Sequence, residues 1–293
     1  MFDFTSAPSF VLLASTGLLA LLFGSFFNVV IYRLPKMMEE NWKRECRLIL
    51  EQDSSDTGND SDFNLAFPHS HCPRCEAPVR AWQNIPVLSY LILGGKCASC
   101  KTAISLRYPL IELATAALAV LAIWQWGATP QGVAMVIFSW ALLIMTMIDI
   151  DHQLLPDSLT LPLLWLGLTF NSTVGSVALN DAVWGAIGGY LSLWSVYWLF
   201  KLVTGKEGMG FGDFKLLAAL GAWLGWQMLP LIILLSSVVG AVLGGTVLML
   251  QRKDSNVTIP FGPYLAIAGW IALYWGDQLV ATYMQISGLS PAP

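Results

Sequence analysis

With 293 residues, 56% hydrophobic side chains, only 12% charged ones and thirteen tryptophans, the chain cannot be an ordinary soluble domain, and its composition implies an all-α polytopic membrane protein. The formal charge of −4 says little about partners, because the distribution of charge matters more than its sum. Membrane lipid is the expected surrounding and nucleic acid is not an expected partner.

The first apolar run, Thr5–Tyr32, carries no charge over 28 residues, more than the roughly 20 needed to cross a bilayer. It has no basic start and no small-residue cleavage pattern before Arg33, so residues 1–32 read as a retained first span rather than a removable signal peptide. Residues 33–107 form the only long hydrophilic segment and hold ten of the fifteen Lys and Arg residues. That bias predicts a small cytoplasmic domain between the first and second spans. Within it Met37–Gln52 has a charged, helical character, and Asp53–Asp62 is an acidic Ser/Asp/Asn/Gly linker with nothing to drive folding.

The same segment carries Cys72, Cys75, Cys97 and Cys100 in the pattern C-x2-C-x21-C-x2-C, close to the spacing of tetrahedral zinc ribbons. Four thiolates leave no open coordination position, so a Zn2+ held there is structural and knits a domain with little core of its own. A disulfide reading loses ground once the loop is placed in a reducing cytosol. Cys46 has no partner in this pattern.

Residues 108–293 read as a seven-helix membrane core. Its apolar runs are Tyr108–Trp126, Pro130–Ile148, Ser158–Phe170, Ala182–Phe200, Leu216–Leu250 and Phe261–Trp275. The fifth would make a single helix of roughly 52 Å, against a hydrocarbon core of about 30 Å. Splitting it near Gly225–Pro230 gives about eight spans with both termini outside. All fifteen basic residues, Arg252 and Lys253 included, then fall on the cytoplasmic side, as the positive-inside rule requires.

Charged groups close to a membrane are costly, and therefore mark function. In GMGFGDFK (Gly208–Lys215), Asp213 follows three glycines and precedes an apolar run. Glycines let a peptide backbone come close, so Gly210 and Gly212 are the expected approach to that acid. Its expected partner closes the run Pro130–Ile148, in MTMIDIDHQLLPD. Asp149 and Asp151 compete for that role, being about 200° apart around a helix, and spacing does not choose between them. Asp157, after Pro156, reads as an N-cap. Glu112, inside the second span, reads as a buried hydrogen-bonding strut. Two acids meeting at one membrane face divide the acid and base roles of peptide hydrolysis without metal or cofactor. The three histidines accompany no nucleophile motif, and the glycine loop lacks the Gly-Lys-Ser/Thr of a phosphate cradle.

GSFFNVVIYRLP (Gly24–Pro35), the two C-x-x-C pairs, DIDHQLLPD (Asp149–Asp157) and GMGFGDFK, in this order, resemble the type IV prepilin leader peptidases, bifunctional membrane enzymes of pilus and type II secretion systems. The Gly-x-Gly-Asp element is similar to that of presenilin-type intramembrane proteases. The resemblance implies removal, after a glycine and at the cytoplasmic face of the inner membrane, of the basic leader of type IV prepilins and pseudopilins. It implies Asp149, rather than Asp151, as the first catalytic aspartate and Asp213 as the second. It further implies methylation of the new amino terminus from S-adenosylmethionine, an activity tied in the family to the cysteine-bearing domain. Phe27 stands where the family usually has leucine, and Asp53–Asp62 looks like a variable insertion. No glycine-rich nucleotide fingerprint follows a predicted strand, so no residues are assigned to the methyl donor.

Two readings from other classes compete. A proton-coupled transporter would use Asp149, Asp213 and Glu112 as relay groups, but needs mid-membrane acids and often paired halves. A non-catalytic scaffold would need only the four cysteines.

Overall fold

The computed structural model describes residues 9–50, 63–251 and 260–288. The linker Asp53–Asp62, the pair Arg252–Lys253 and the first residues of the run beginning at Thr5 lie outside them. The described residues are helical, without strands, and contain two isolated bridges, His71 with Pro78 and Lys96 with Ala103. The helices are α1 (Phe10–Ile49), the short α2 (Leu88–Ile92), α3 (Arg107–Trp126), α4 (Pro130–His152), α5 (Asp157–Thr173), α6 (Leu179–Thr204), α7 (Phe211–Leu224), α8 (Leu229–Gln251) and α9 (Gly262–Ile286). Apart from α2, they follow the apolar runs in order. Four of them, α1, α3, α4 and α6, are long and apolar enough to cross a membrane. The exposed Leu22, Leu199 and Leu202 are what a lipid-facing surface requires.

The fifth run is broken where the charge argument requires. Gly225 adopts φ 82° and closes α7, and a short 3-10 turn at Trp226–Met228 leads into α8. A side chain would strain this left-handed position, so glycine ends the helix cheaply. The other end of the chain differs from expectation. Instead of stopping near Tyr32, α1 runs on through Pro35 to Ile49 and joins the first span to the charged Met37–Gln52 segment. One proline removes a single helical hydrogen bond, too little to end a helix of 40 residues.

Packing divides the chain into two compact units, Met1–Trp140 and Ala141–Pro293, with the division inside α4. In the first unit α1 packs on α3 with almost no gap. A Cβ on Gly24 would lie 2.7 Å from the Glu112 backbone. Glu112 is buried and accepts a 2.8 Å bond from the Val87 amide, so it is the strut its position suggested. Arg33 is also buried, donating to the carbonyl oxygens of Asn64, at 2.8 Å, and Pro68, which ties the polar segment to α1.

In the second unit α7 is the centre, packed by α5, α6 and α9, and every residue from Leu216 to Trp223 is buried. Asn171 on α5 donates to the carbonyls of Ala222 (2.8 Å) and Trp223 (3.1 Å), satisfying the orphan end of α7. Trp223 returns a 2.8 Å bond to Leu163 O. Helices α6 and α7 touch through bare backbone. A Cβ on Gly185 would fall 2.2 Å from Gly221 O, and one on Gly221 the same distance from Gly185 O. Small residues allow such approaches in membrane bundles. Gly185→Ala or Gly221→Ala should therefore cost about 1–3 kcal/mol by overpacking, read as a lower midpoint in detergent thermal melts. Gly188→Ala, whose Cβ would meet only Leu229 Cδ1 at 3.4 Å, should be close to neutral. Equal melting of all three variants would refute the contact.

Candidate active site

The last turn of α4 carries Asp149 inward, 5% exposed, while Asp151, two positions on, is exposed. Of the two acids that spacing leaves level, Asp149 is the one that faces the interior of the second unit. The chain then leaves the helix at Gln153, at φ 51°, whose amide donates to Asp149 O at 2.9 Å. The buried Leu155 and Pro156 turn it into α5.

Asp213 is placed by the first turn of α7, 7% exposed, with its amide donating to Gly210 O at 3.3 Å. An aromatic cluster fixes this corner. Tyr197 of α6 packs on Phe211 and Phe214 with ring centroids 5.2 and 5.7 Å apart. Lys201 pairs with Glu207 at 2.8 Å across the α6–α7 connection.

The fold brings the two acids together. Leu155, in the turn between α4 and α5, joins the surroundings of both. A Cβ on Gly212 would lie 2.7 Å from Leu155 Cβ, and one on Gly262 would lie 3.2 Å from Leu155 Cδ1. The two approach glycines thus differ from each other. Gly210 is exposed, and the nearest atom to its missing side chain is Asp213 Oδ2 at 3.9 Å, so that position is uncrowded. The space at Gly212 is taken by Leu155, so this glycine seats α7 against the α4–α5 turn.

Asp157 corrects the sequence reading. The N-cap of α5 is Pro156, with no side-chain cap bond. Asp157 instead binds Lys215 Nζ through both oxygens, at 2.6 and 2.7 Å. Two residues along a helix is about 200°, so this pairing turns the Lys215 ammonium away from Asp213.

Sequence reasoning missed Gly262 altogether. Its amide donates a buried 3.0 Å bond to Asp149 Oδ2. The available signal was Phe261–Gly262–Pro263, a proline at the opening of an apolar run, which marks a helix start and nothing more.

In the first unit the four cysteines converge, with all four sulfurs within 4.8 Å of one another. Cys72 Sγ and Cys100 Sγ are 3.8 Å apart, and Cys75 Sγ and Cys97 Sγ 4.0 Å. Tetrahedral Zn–S bonds of about 2.3 Å require sulfurs about 3.8 Å apart, so this set fits zinc. Each pair sits on a tight turn of the same design. The Cys72 amide donates to Ala77 O and the Cys97 amide to Thr102 O, and Glu76 and Lys101 both take left-handed φ values, 55° and 60°. Thr102, through its hydroxyl and its backbone, holds the Cys100 thiol down at about 6, and backbone amides from Arg74 and Cys75 lower that of Cys72. The Ala77 backbone pulls Cys75 the same way, but the Cys100, Cys72 and Cys97 sulfurs keep it up at about 11. Thiols must give up their protons to bind a metal cation.

Comparison with known proteins agrees with this layout. Residues 18–126 match the Bacterial Peptidase A24 N-terminal domain and residues 136–245 the Type IV leader peptidase family. A prepilin leader peptidase/N-methyltransferase of Stutzerimonas stutzeri is 61% identical over 92% of this chain and 93% of its own. One from Pseudomonas aeruginosa is 59% identical over 98% and 99%, and one from Aeromonas salmonicida 55% identical over 91% and 92%. No solved structure gives a significant match. With identity of this order running from end to end, the chain belongs to the prepilin leader peptidase/N-methyltransferase family.

Proposed function

We propose that the chain is a bifunctional membrane enzyme. It removes the leaders of type IV prepilins and type II secretion pseudopilins by aspartic endoproteolysis, then methylates the exposed amino terminus. The observation that carries the first activity is the burial of Asp149 and Asp213, at the ends of helices far apart in sequence, around the shared neighbour Leu155. Like charges in mutual reach resist double ionisation, so the pair shares one proton. The ionised member takes a proton from water, and the oxygen attacks the scissile carbonyl carbon. The protonated member donates to the carbonyl oxygen as negative charge develops there, and collapse of the adduct expels the amine with a proton. The open face at Gly210 is where the substrate backbone enters.

Methyl transfer uses S-adenosylmethionine as the source of an electrophilic methyl group for the new amine. Zinc at Cys72, Cys75, Cys97 and Cys100 supplies a closed structural centre for the hydrophilic segment. The domain plan is residues 1–32 as the first span, 33–107 as the cytoplasmic domain and 108–293 as the peptidase core. Threaded as eight inner-membrane spans, α1 and α3 to α9, the chain has periplasmic termini, and both aspartates lie at the cytoplasmic boundary. The transporter reading loses its third relay group, because Glu112 is engaged by the Val87 amide.

Asp149→Asn and Asp213→Asn should each slow leader removal from a purified prepilin by about 10²–10⁴-fold or more, measured by gel shift and mass spectrometry of the product. Near-parental turnover by either variant removes the dyad. Elemental analysis of the purified chain should find about one zinc per molecule. Cys72→Ser and Cys100→Ser should lose it, and the remaining thiols should become reactive to a disulfide reagent. A metal-free chain whose thiols resist that reagent would count against a zinc centre.

A further inference from the structure

Three features make Gly262 more than the first residue of α9. Its amide is bonded to Asp149 Oδ2 at 3.0 Å in a buried setting. The space where its side chain would stand is filled by that same carboxylate, since a Cβ would fall 2.6 Å from Oδ2 and 3.2 Å from Asp149 Cγ. Its φ lies outside the left-handed region, so glycine is required there for room and not for conformation.

The charge geometry points the same way. Asp149 lies in the last turn of α4, the end of a helix whose carbonyls oppose an anion. The first turn of α9, a helix of 25 residues, presents the opposite pole. A carboxylate between them is held by the amide and by nothing a side chain at 262 could replace.

Resting on the dyad reading above, we propose that Gly262 is a positioning residue of the peptidase site, which fixes the Asp149 carboxylate by its main-chain N–H and by having no side chain. The site then has three walls: the end of α4, the first turn of α7, and the first turn of α9. The third lies beyond residues 136–245, which match the leader peptidase family. A peptidase core cut to that match would carry both aspartates and lack the group that aims one of them.

The test is Gly262→Ala in the full-length enzyme. The atom that must yield to the new methyl group is the end of a flexible side chain, so the helix stays and the carboxylate turns. A misplacement of about 1 Å in a catalytic group costs about 10²-fold. The expected result is a fall of that order in kcat for leader removal, with KM for the prepilin within about twofold, as expected when binding contacts are kept. Melting temperature, and methylation of a prepilin already freed of its leader, should stay at parental levels. Gly269→Ala is the control. It lies on the same helix and is as tightly packed, with a Cβ 2.5 Å from Leu220 Cδ2, but distant from Asp149, and should keep its kcat. Parental kcat in Gly262→Ala overturns the inference, and so does a loss of kcat matched by equal losses of melting temperature and methylation, which would make Gly262 a packing residue only. If Asp149→Asn is inactive while Gly262→Ala is normal, this inference alone fails. If Asp149→Asn is active, the dyad reading fails first.

Discussion

An acid taken into an apolar bundle must be met by backbone donors, and backbone comes close only where side chains are missing. The second unit is built around that demand. Helix α7 has 14 residues, about 21 Å of helix, shorter than a hydrocarbon core of about 30 Å, so as one of the proposed spans it is a short one. Protein encloses it instead of lipid. Its neighbours reach it through Gly185 and Gly189 on α6, Gly167 on α5 and Gly269 on α9, where an added Cβ would come within 2.2–2.6 Å of α7 atoms. Enclosure of this kind covers a short helix with protein along its length and holds Asp213 in its first turn.

The first unit solves a similar problem for different ends. Glu112 and Arg33 are both buried charged residues, and each is answered chiefly by main chain, Glu112 by the Val87 amide and Arg33 by the carbonyls of Asn64 and Pro68. A charged side chain bonded to a loop's backbone is costly to release. These two residues therefore anchor the connecting segments on either side of the first cysteine pair to α3 and α1. The cysteine turns have no apolar core of their own, and the sulfur cluster takes its place.

Much of this was legible because the signals were local or periodic. Apolar runs gave the helices in order, a length argument located the break at Gly225, and C-x2-C spacing brought four sulfurs within 4.8 Å. Helix α1 runs on beyond the apolar stretch because a loss of hydrophobicity at Arg33 is not a signal that ends a helix. Asp157 was misread because capping is a local rule, whereas its actual partner, Lys215, lies 58 positions away. Gly262 left almost no trace, since the property that matters is an absent side chain opposite a carboxylate 113 positions distant. Nor could periodicity rank Asp149 above Asp151. That required knowing which face of α4 meets the rest of the second unit.

The Asp157–Lys215 pair bears on the chemistry although it touches neither acid of the dyad. A lysine two residues past Asp213 is the natural cation to neutralise it, and a carboxylate so paired is held ionised and gives up its role as proton donor. Bound through both oxygens of Asp157, Lys215 is committed to the opposite face of α7. Half exposed, the pair contributes little to stability, but its geometry keeps a fixed positive charge out of the space between Asp149 and Asp213. What reaches Asp149 is the neutral Gly262 N–H, which orients the carboxylate and, carrying no net charge, biases its protonation less than an ammonium would. In the two-acid mechanism proposed above one proton passes between the pair during turnover, and a neutral backbone donor hinders that less than a fixed ammonium, which would hold one protonation state.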